Sequence, residues 1–170
     1  AAGRSGVGAV MGSKNLKAVA VRGTGKKEIA DQQSLQDVAR WFVRHYPSTW
    51  GASLKDLGTA NAVTQHLDGG LPTLNFQRGT FDGWEAITGK TMRDTVLKDR
   101  DTCYACPIGC KRVVEITEGD YQVDPVYGGP EYETLGALGS ICGVDDLAAI
   151  CKANELCNAY GLDTISCGMT

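Results

Sequence analysis

Apolar residues recur at two different periods along this chain, and the change of period divides it. From Leu16 to Arg22 apolar positions alternate with small or charged ones, and Val19 and Val21 are β-branched, which predicts a strand. Gly23-Thr24-Gly25-Lys26-Lys27 interrupts that run and marks a domain boundary. Beyond it the spacing turns helical. Leu35, Val38, Phe42 and His45 share one stripe of a helix that starts at Ser34, carries Asp37 three residues after the cap, and stops at Pro47. A second helix over 53–67 turns Leu54, Leu57 and Val63 inward, and a short third one spans 89–97. Between 69 and 83 there is no period, only a long loop without a ligand constellation.

The second half repeats the alternation. Arg112 to Ile116 predicts a strand, paired with Tyr121-Gln122-Val123 across Glu118-Gly119-Asp120. Pro130 suits the first turn of a helix, with Glu131 well placed for its dipole. The last helix starts at Val144-Asp145-Asp146, buries Leu147, Ile150, Cys151 and Cys157 on one face, and closes at Gly161.

Composition narrows the function classes. The length of 170 residues fits about one domain, and 42% hydrophobic content supplies a core. A net charge of −3 offers no basic patch for nucleic acid. No apolar run has spanning length and no signal segment opens the chain, so membrane attachment is not expected. Seven cysteines, three of them bunched, read as metal-binding thiols in a reducing cytoplasm rather than as a disulfide scaffold. The chain starts without Met in a glycine-rich stretch and stops just after a turn, so the expectation is an internal piece of a longer protein.

The candidate chemistry centres on Cys103, Cys106 and Cys110, spaced C-x2-C-x3-C with Pro107 and Gly109 between them. Soft sulfur donors in one turn favour an iron–sulfur cluster over zinc or plain thiols, and any such site needs a fourth ligand from elsewhere. Residues 3–12 form a glycine-rich loop where backbone amides and Arg4 suit an anion, but the spacing matches neither G-x-G-x-x-G nor a P-loop, and a tight packing loop is the competing reading. Glu131 and Glu133 lie two apart and leave their helix in different directions; as first-turn charges both read as solvated. His45, near an apolar stripe, and His66, at a helix end, read as structural. Cys151 and Cys157 read as small core residues, and Asp163 stands just past a helix end.

Four stretches in this order resemble the tungsten-containing aldehyde ferredoxin oxidoreductase family: Gly8 to Ala18, the Cys103/Cys106/Cys110 loop, Gly129-Pro130-Glu131-Tyr132-Glu133-Thr134, and Tyr160 to Ser166. The resemblance implies an α+β fold, with residues 1–25 ending a β-rich, pterin-binding first domain and 28–170 forming a mostly helical second domain. A third domain is then expected beyond Thr170, carrying the fourth cluster ligand and an active-site histidine. It also implies a tungsten bis-pterin centre, with molybdenum as the alternative metal. By that resemblance Cys103, Cys106 and Cys110 are ligands of a [4Fe–4S] cluster, Arg4 contacts a pterin, and the Ser5 carbonyl helps hold a magnesium between pterin phosphates. Asp163 matches an acid that hydrogen-bonds a pterin ring, and Asn158 stands where the family motif has an aspartate; an amide can both donate and accept. Glu133 matches the carboxylate beside the metal, which replaces the solvated reading for that residue alone.

The implied activity is oxidation of an aldehyde to a carboxylic acid, with electrons leaving through the cluster to ferredoxin or an iron–sulfur subunit. A homo-oligomer is compatible with it. Two alternatives stand beside this one: a tungsten-dependent aromatic acyl-CoA reductase subunit of the same family, and a non-catalytic zinc-binding module.

Overall fold

Short polar side chains start several helices of the computed structural model, which describes residues 3–170. Asp31 caps α2 (Gln32–His45), Thr88 caps α4 (Gly89–Thr95), Asp146 caps α6 (Leu147–Tyr160) and Asp163 caps α7 (Thr164–Gly168), each accepting a backbone N–H of the first turn. α1 (Val7–Ser13), α3 (Gly51–Leu57) and α5 (Tyr132–Leu135) have no side-chain cap. The architecture is mostly helical, with one small antiparallel sheet of β1 (Leu97–Asp101) and β2 (Lys111–Val114). No helix among the described residues is long and apolar enough to cross a membrane.

The core lies where the 3-10 segment Thr59–Asp68, α4, β2, α5 and α6 meet. Ala60, Val63, Leu71, Ile87, Met92, Val114, Leu135, Ile150 and Cys151 are its fully buried members. Each large aliphatic among them contributes about 1.5–3 kcal/mol over leaving it exposed. α6 closes as expected at Gly161, whose φ of 70° is the left-handed cap that favours glycine.

Several elements depart from the periodicity. Of residues 3–12, expected as loop, those from Val7 on are helical, in α1, with left-handed Gly6 at the N-cap. Leu16 to Arg22 forms no strand among the described residues. A strand needs a ladder partner for its backbone groups, and here Val19 and Val21 are 73% and 86% exposed. α2 starts at Gln32, two residues before Ser34, whose N–H and hydroxyl both donate to the cap Asp31, and its apolar stripe of Leu35, Val38 and Phe42 is exposed. The first buried residue among those described is Tyr46. The helix expected over 53–67 is broken by Gly58, at φ 67°, into α3 and the 3-10 segment. Pro130 falls just outside α5 rather than in its first turn, because Glu131 occupies the N-cap.

The strand expected after the cysteines is present, and Ile116 bridges Val123 as anticipated. Its main partner is β1, however, with Asp101 opposite Lys111. Leu97-Lys-Asp-Arg-Asp is too charged to show strand periodicity, so tertiary pairing decides it.

Candidate functional site

The β1–β2 hairpin carries the thiol loop on its end. Ala105 and Gly109, at φ 56° and 65°, turn the backbone between the cysteines. The Cys106 N–H donates to the Cys103 carbonyl at 3.0 Å, and the Thr102 hydroxyl to the Cys106 carbonyl at 2.8 Å. From outside the loop, the Tyr46 hydroxyl donates to the Pro107 carbonyl at 3.1 Å. Cys103 is exposed, Cys106 and Cys110 are half-buried, and all three are free thiols. Burial first, then the negative charge of Glu131, pushes the Cys110 thiol above its ordinary value. As the side chains stand, no three His, Cys, Asp or Glu groups among the described residues close around a common metal position. The loop fits a thiolate-bound group by its donor chemistry, three unpaired soft sulfurs within eight residues.

Behind the hairpin lies a cleft of about 550 Å³ lined by Gly3, Arg112, Gly129, Glu131, Asn154, Asn158 and Asp163 among others. The fold brings together here two candidate residues 159 positions apart: the Arg4 Nε donates to Asp163 Oδ2 at 3.2 Å. The same carboxylate caps α7, accepting the Ser166 N–H at 3.1 Å and its hydroxyl at 2.6 Å. The Ser166 hydroxyl, and after it Arg4, holds the Asp163 carboxyl down at about 2. A depressed folded-state value means that this cap and ion pair stabilise the fold above the ordinary Asp value of 3.8 and fade as pH falls toward about 2. An NMR pH titration of Asp163 is expected to show that low midpoint, and Arg4→Ala to raise it.

Asn158, on the last turns of α6, donates from Nδ2 to the Asn154 carbonyl at 2.9 Å and to Asn154 Oδ1 at 3.3 Å. Its hydrogens are engaged, so Oδ1 is the atom left for a ligand. Ser5 is exposed with a left-handed φ of 65°. The two glutamates part company, but Glu131, expected to be solvated, is the half-buried one and Glu133 the exposed one. Glu131 lines the large cleft and accepts a hydrogen bond from the Thr59 hydroxyl. Glu133 is exposed and lines a separate cleft of about 450 Å³ with Trp50, Leu54, Gln65 and Tyr132.

The histidines are structural. His45 Nδ1 lies 2.7 Å from the Trp41 carbonyl and the two rings stack. His66 accepts the Phe81 N–H at 2.8 Å and stacks on Trp84. Arg112, Asn154 and Thr59 were invisible to periodicity. Only Arg112 carried a signal, as a cation at a strand position two residues after the third cysteine.

These elements define a mostly helical domain that carries a thiol loop on strands whose ends, Asp101 and Lys111, line a polar cleft. The family model described as aldehyde ferredoxin oxidoreductase, domains 2 and 3, matches residues 35–170. The chain belongs to the aldehyde ferredoxin oxidoreductase family. It is 46% identical over its whole length to the tungsten-containing aldehyde ferredoxin oxidoreductase of Thermococcus kodakarensis, and likewise 46% to that of Pyrococcus furiosus, covering 28% of each. A more distant relative, the aliphatic sulfonate oxidoreductase WOR-like subunit of Pyrococcus furiosus, is 30% identical over 99% of this chain and 27% of its own length. The chain thus spans little more than a quarter of these curated relatives.

Proposed function

We propose that this chain is part of an enzyme that oxidises an aldehyde to a carboxylic acid, with ferredoxin or an iron–sulfur subunit as electron acceptor. The observation that carries this is the family membership together with the Arg4–Asp163 contact at the wall of the polar cleft. In that reading residues 1–25 end a β-rich first domain and 28–170 form the helical second domain of a cytoplasmic protein.

The residues in the cleft, Asn158 and Asp163, and beside it, Arg4 and Ser5, fit a polar, multiply hydrogen-bonding cofactor. Arg4 presents donors, Asp163 acceptors and Asn158 an amide oxygen, and Ser5 contributes a carbonyl for a magnesium. Cys103, Cys106 and Cys110 would hold a [4Fe–4S] cluster. When bound, the tungsten bis-pterin supplies the two-electron redox chemistry and Lewis acidity, and the cluster one-electron transfer.

The protein's own part is orientation and proton handling. The net reaction takes aldehyde and water to carboxylic acid, two protons and two electrons. Glu133 as carboxylate accepts a proton from the water that adds to the carbonyl carbon. The aromatic and aliphatic side chains of Trp50, Leu54 and Tyr132 beside it suit the apolar part of an aldehyde.

Assaying the full-length protein anaerobically with an aldehyde panel and ferredoxin, alongside metal analysis, tests this. Turnover with tungsten or molybdenum and iron present is expected. Zinc without iron, or turnover of an aromatic thioester instead of any aldehyde, would overturn it.

A further inference from the structure

We propose that Arg112 is a positioning residue for the thiol loop, tying its Gly109–Cys110 end to the last turn of α3 and setting a permanent positive charge beside the iron–sulfur group. This rests on the reading that Cys103, Cys106 and Cys110 hold that group.

Arg112 is 3% exposed, in β2. Its Nε donates to the Cys110 carbonyl at 3.1 Å and Nη2 to the Gly109 carbonyl at 2.8 Å. On the other side Nη1 donates to the Asp56 carbonyl at 2.9 Å and Nη2 to the Lys55 carbonyl at 3.1 Å. All four hydrogen bonds go to backbone oxygens and none to a carboxylate. Burying a cation without a hydrogen-bonded counter-charge is costly, and a buried strand position is ordinarily filled more cheaply by an apolar side chain. The Lys55 and Asp56 carbonyls belong to the negative C-terminal end of α3, which offsets part of that cost.

The surroundings are shaped to the guanidinium. A Cβ on Gly58 would stand 2.9 Å from Arg112 Nε and 2.9 Å from the Cys110 carbonyl, and one on Gly129 would stand 3.1 Å from the Arg112 Cβ. The rigid fork reaches two chain segments at once, which a lysine ammonium, with its donors on one atom, does not. Arg112 also lines the polar cleft with Glu131, so one side chain touches both the thiol loop and the cleft wall.

Outer partners of metal ligands fix ligand orientation, and fixed charge and hydrogen bonds near an iron–sulfur group set its potential. A cation favours the more negative, reduced state. Removing Arg112 therefore loosens Cys110 and lowers the potential.

The test uses the anaerobically purified full-length protein with two readouts: iron release to the ferrous chelator ferrozine, and the midpoint potential from an EPR-monitored redox titration. Arg112→Met is expected to release iron about tenfold faster or more, within the range seen for outer-shell partners, and to shift the potential downward. Arg112→Lys is expected to restore much of the potential but not the iron retention. Wild-type release and potential in Arg112→Met overturn the proposal. So does faster release with an unmoved potential, since that marks a merely structural side chain. Should Arg112→Met fail to fold, Gly58→Ala crowds the guanidinium without deleting it, and wild-type iron release from that variant overturns the proposal equally. Cys110→Ser separates the two readings: an iron–sulfur signal surviving there sinks the ligand assignment itself, whatever Arg112 does.

Discussion

Replacing Glu133 by glutamine in the full-length protein is expected to lower kcat by about 10²–10⁴-fold, the range for losing a positioned proton acceptor. Glutamine keeps the size of the side chain and removes its basicity. Glu133 is exposed and makes no side-chain hydrogen bond among the described residues, so stability should change by no more than about 0.5 kcal/mol. Tungsten and iron contents should stay at wild-type levels. Loss of metal in the variant would assign Glu133 a structural role, and near-normal turnover would remove it from the chemistry. Glu131→Gln is the informative comparison, because Glu131 faces the larger cleft and is held by Thr59. If Glu131→Gln abolishes turnover and Glu133→Gln does not, the proton-accepting role moves two residues upstream.

The second large effect is expected from Cys106→Ser. The thiolate is the ligand, and a serine hydroxyl is neither soft nor readily ionised. The EPR signal that the cluster shows on reduction should disappear and the iron content fall. An unchanged signal would eliminate the hairpin loop as the ligand source. Cys151→Ser serves as the control. Burial, with Asp146 as a smaller cause, pushes that thiol up to about 12, which leaves it a protonated core group. Its replacement should lower the unfolding midpoint while leaving the signal intact.

What the sequence made legible followed the physics of each segment. The Cys103/Cys106/Cys110 loop and the Gly161 helix end are local features, and both fall where their spacing indicated. The inward face of α6 was readable because Leu147, Ile150, Cys151 and Cys157 obey one period. β1 was not, because its charged residues pair only through contact with β2. Leu16–Arg22 failed in the opposite sense: its alternation is clear, but no partner strand lies among the described residues. The stripe of α2 is legible as a pattern, yet Leu35, Val38 and Phe42 are exposed, because periodicity alone does not say what a face packs against. In the cleft, the resemblance nominated Arg4 and Asp163 separately, and only the fold puts them in contact. Arg112 escaped because a charged side chain in a strand reads as solvated until its four carbonyl partners are seen.

The hairpin and the cleft differ in how far apart along the chain their parts begin. Asp101 and Lys111 meet across a nine-residue connection, a closure of small entropic cost that hairpins complete in about 1–10 μs. Arg4 must find Asp163 from 159 residues away. Assembly on a newly made chain is therefore staggered: the sulfur-bearing tip is shaped early from its own neighbourhood, and the polar recess behind it closes only once the distant ends of the segment have come together.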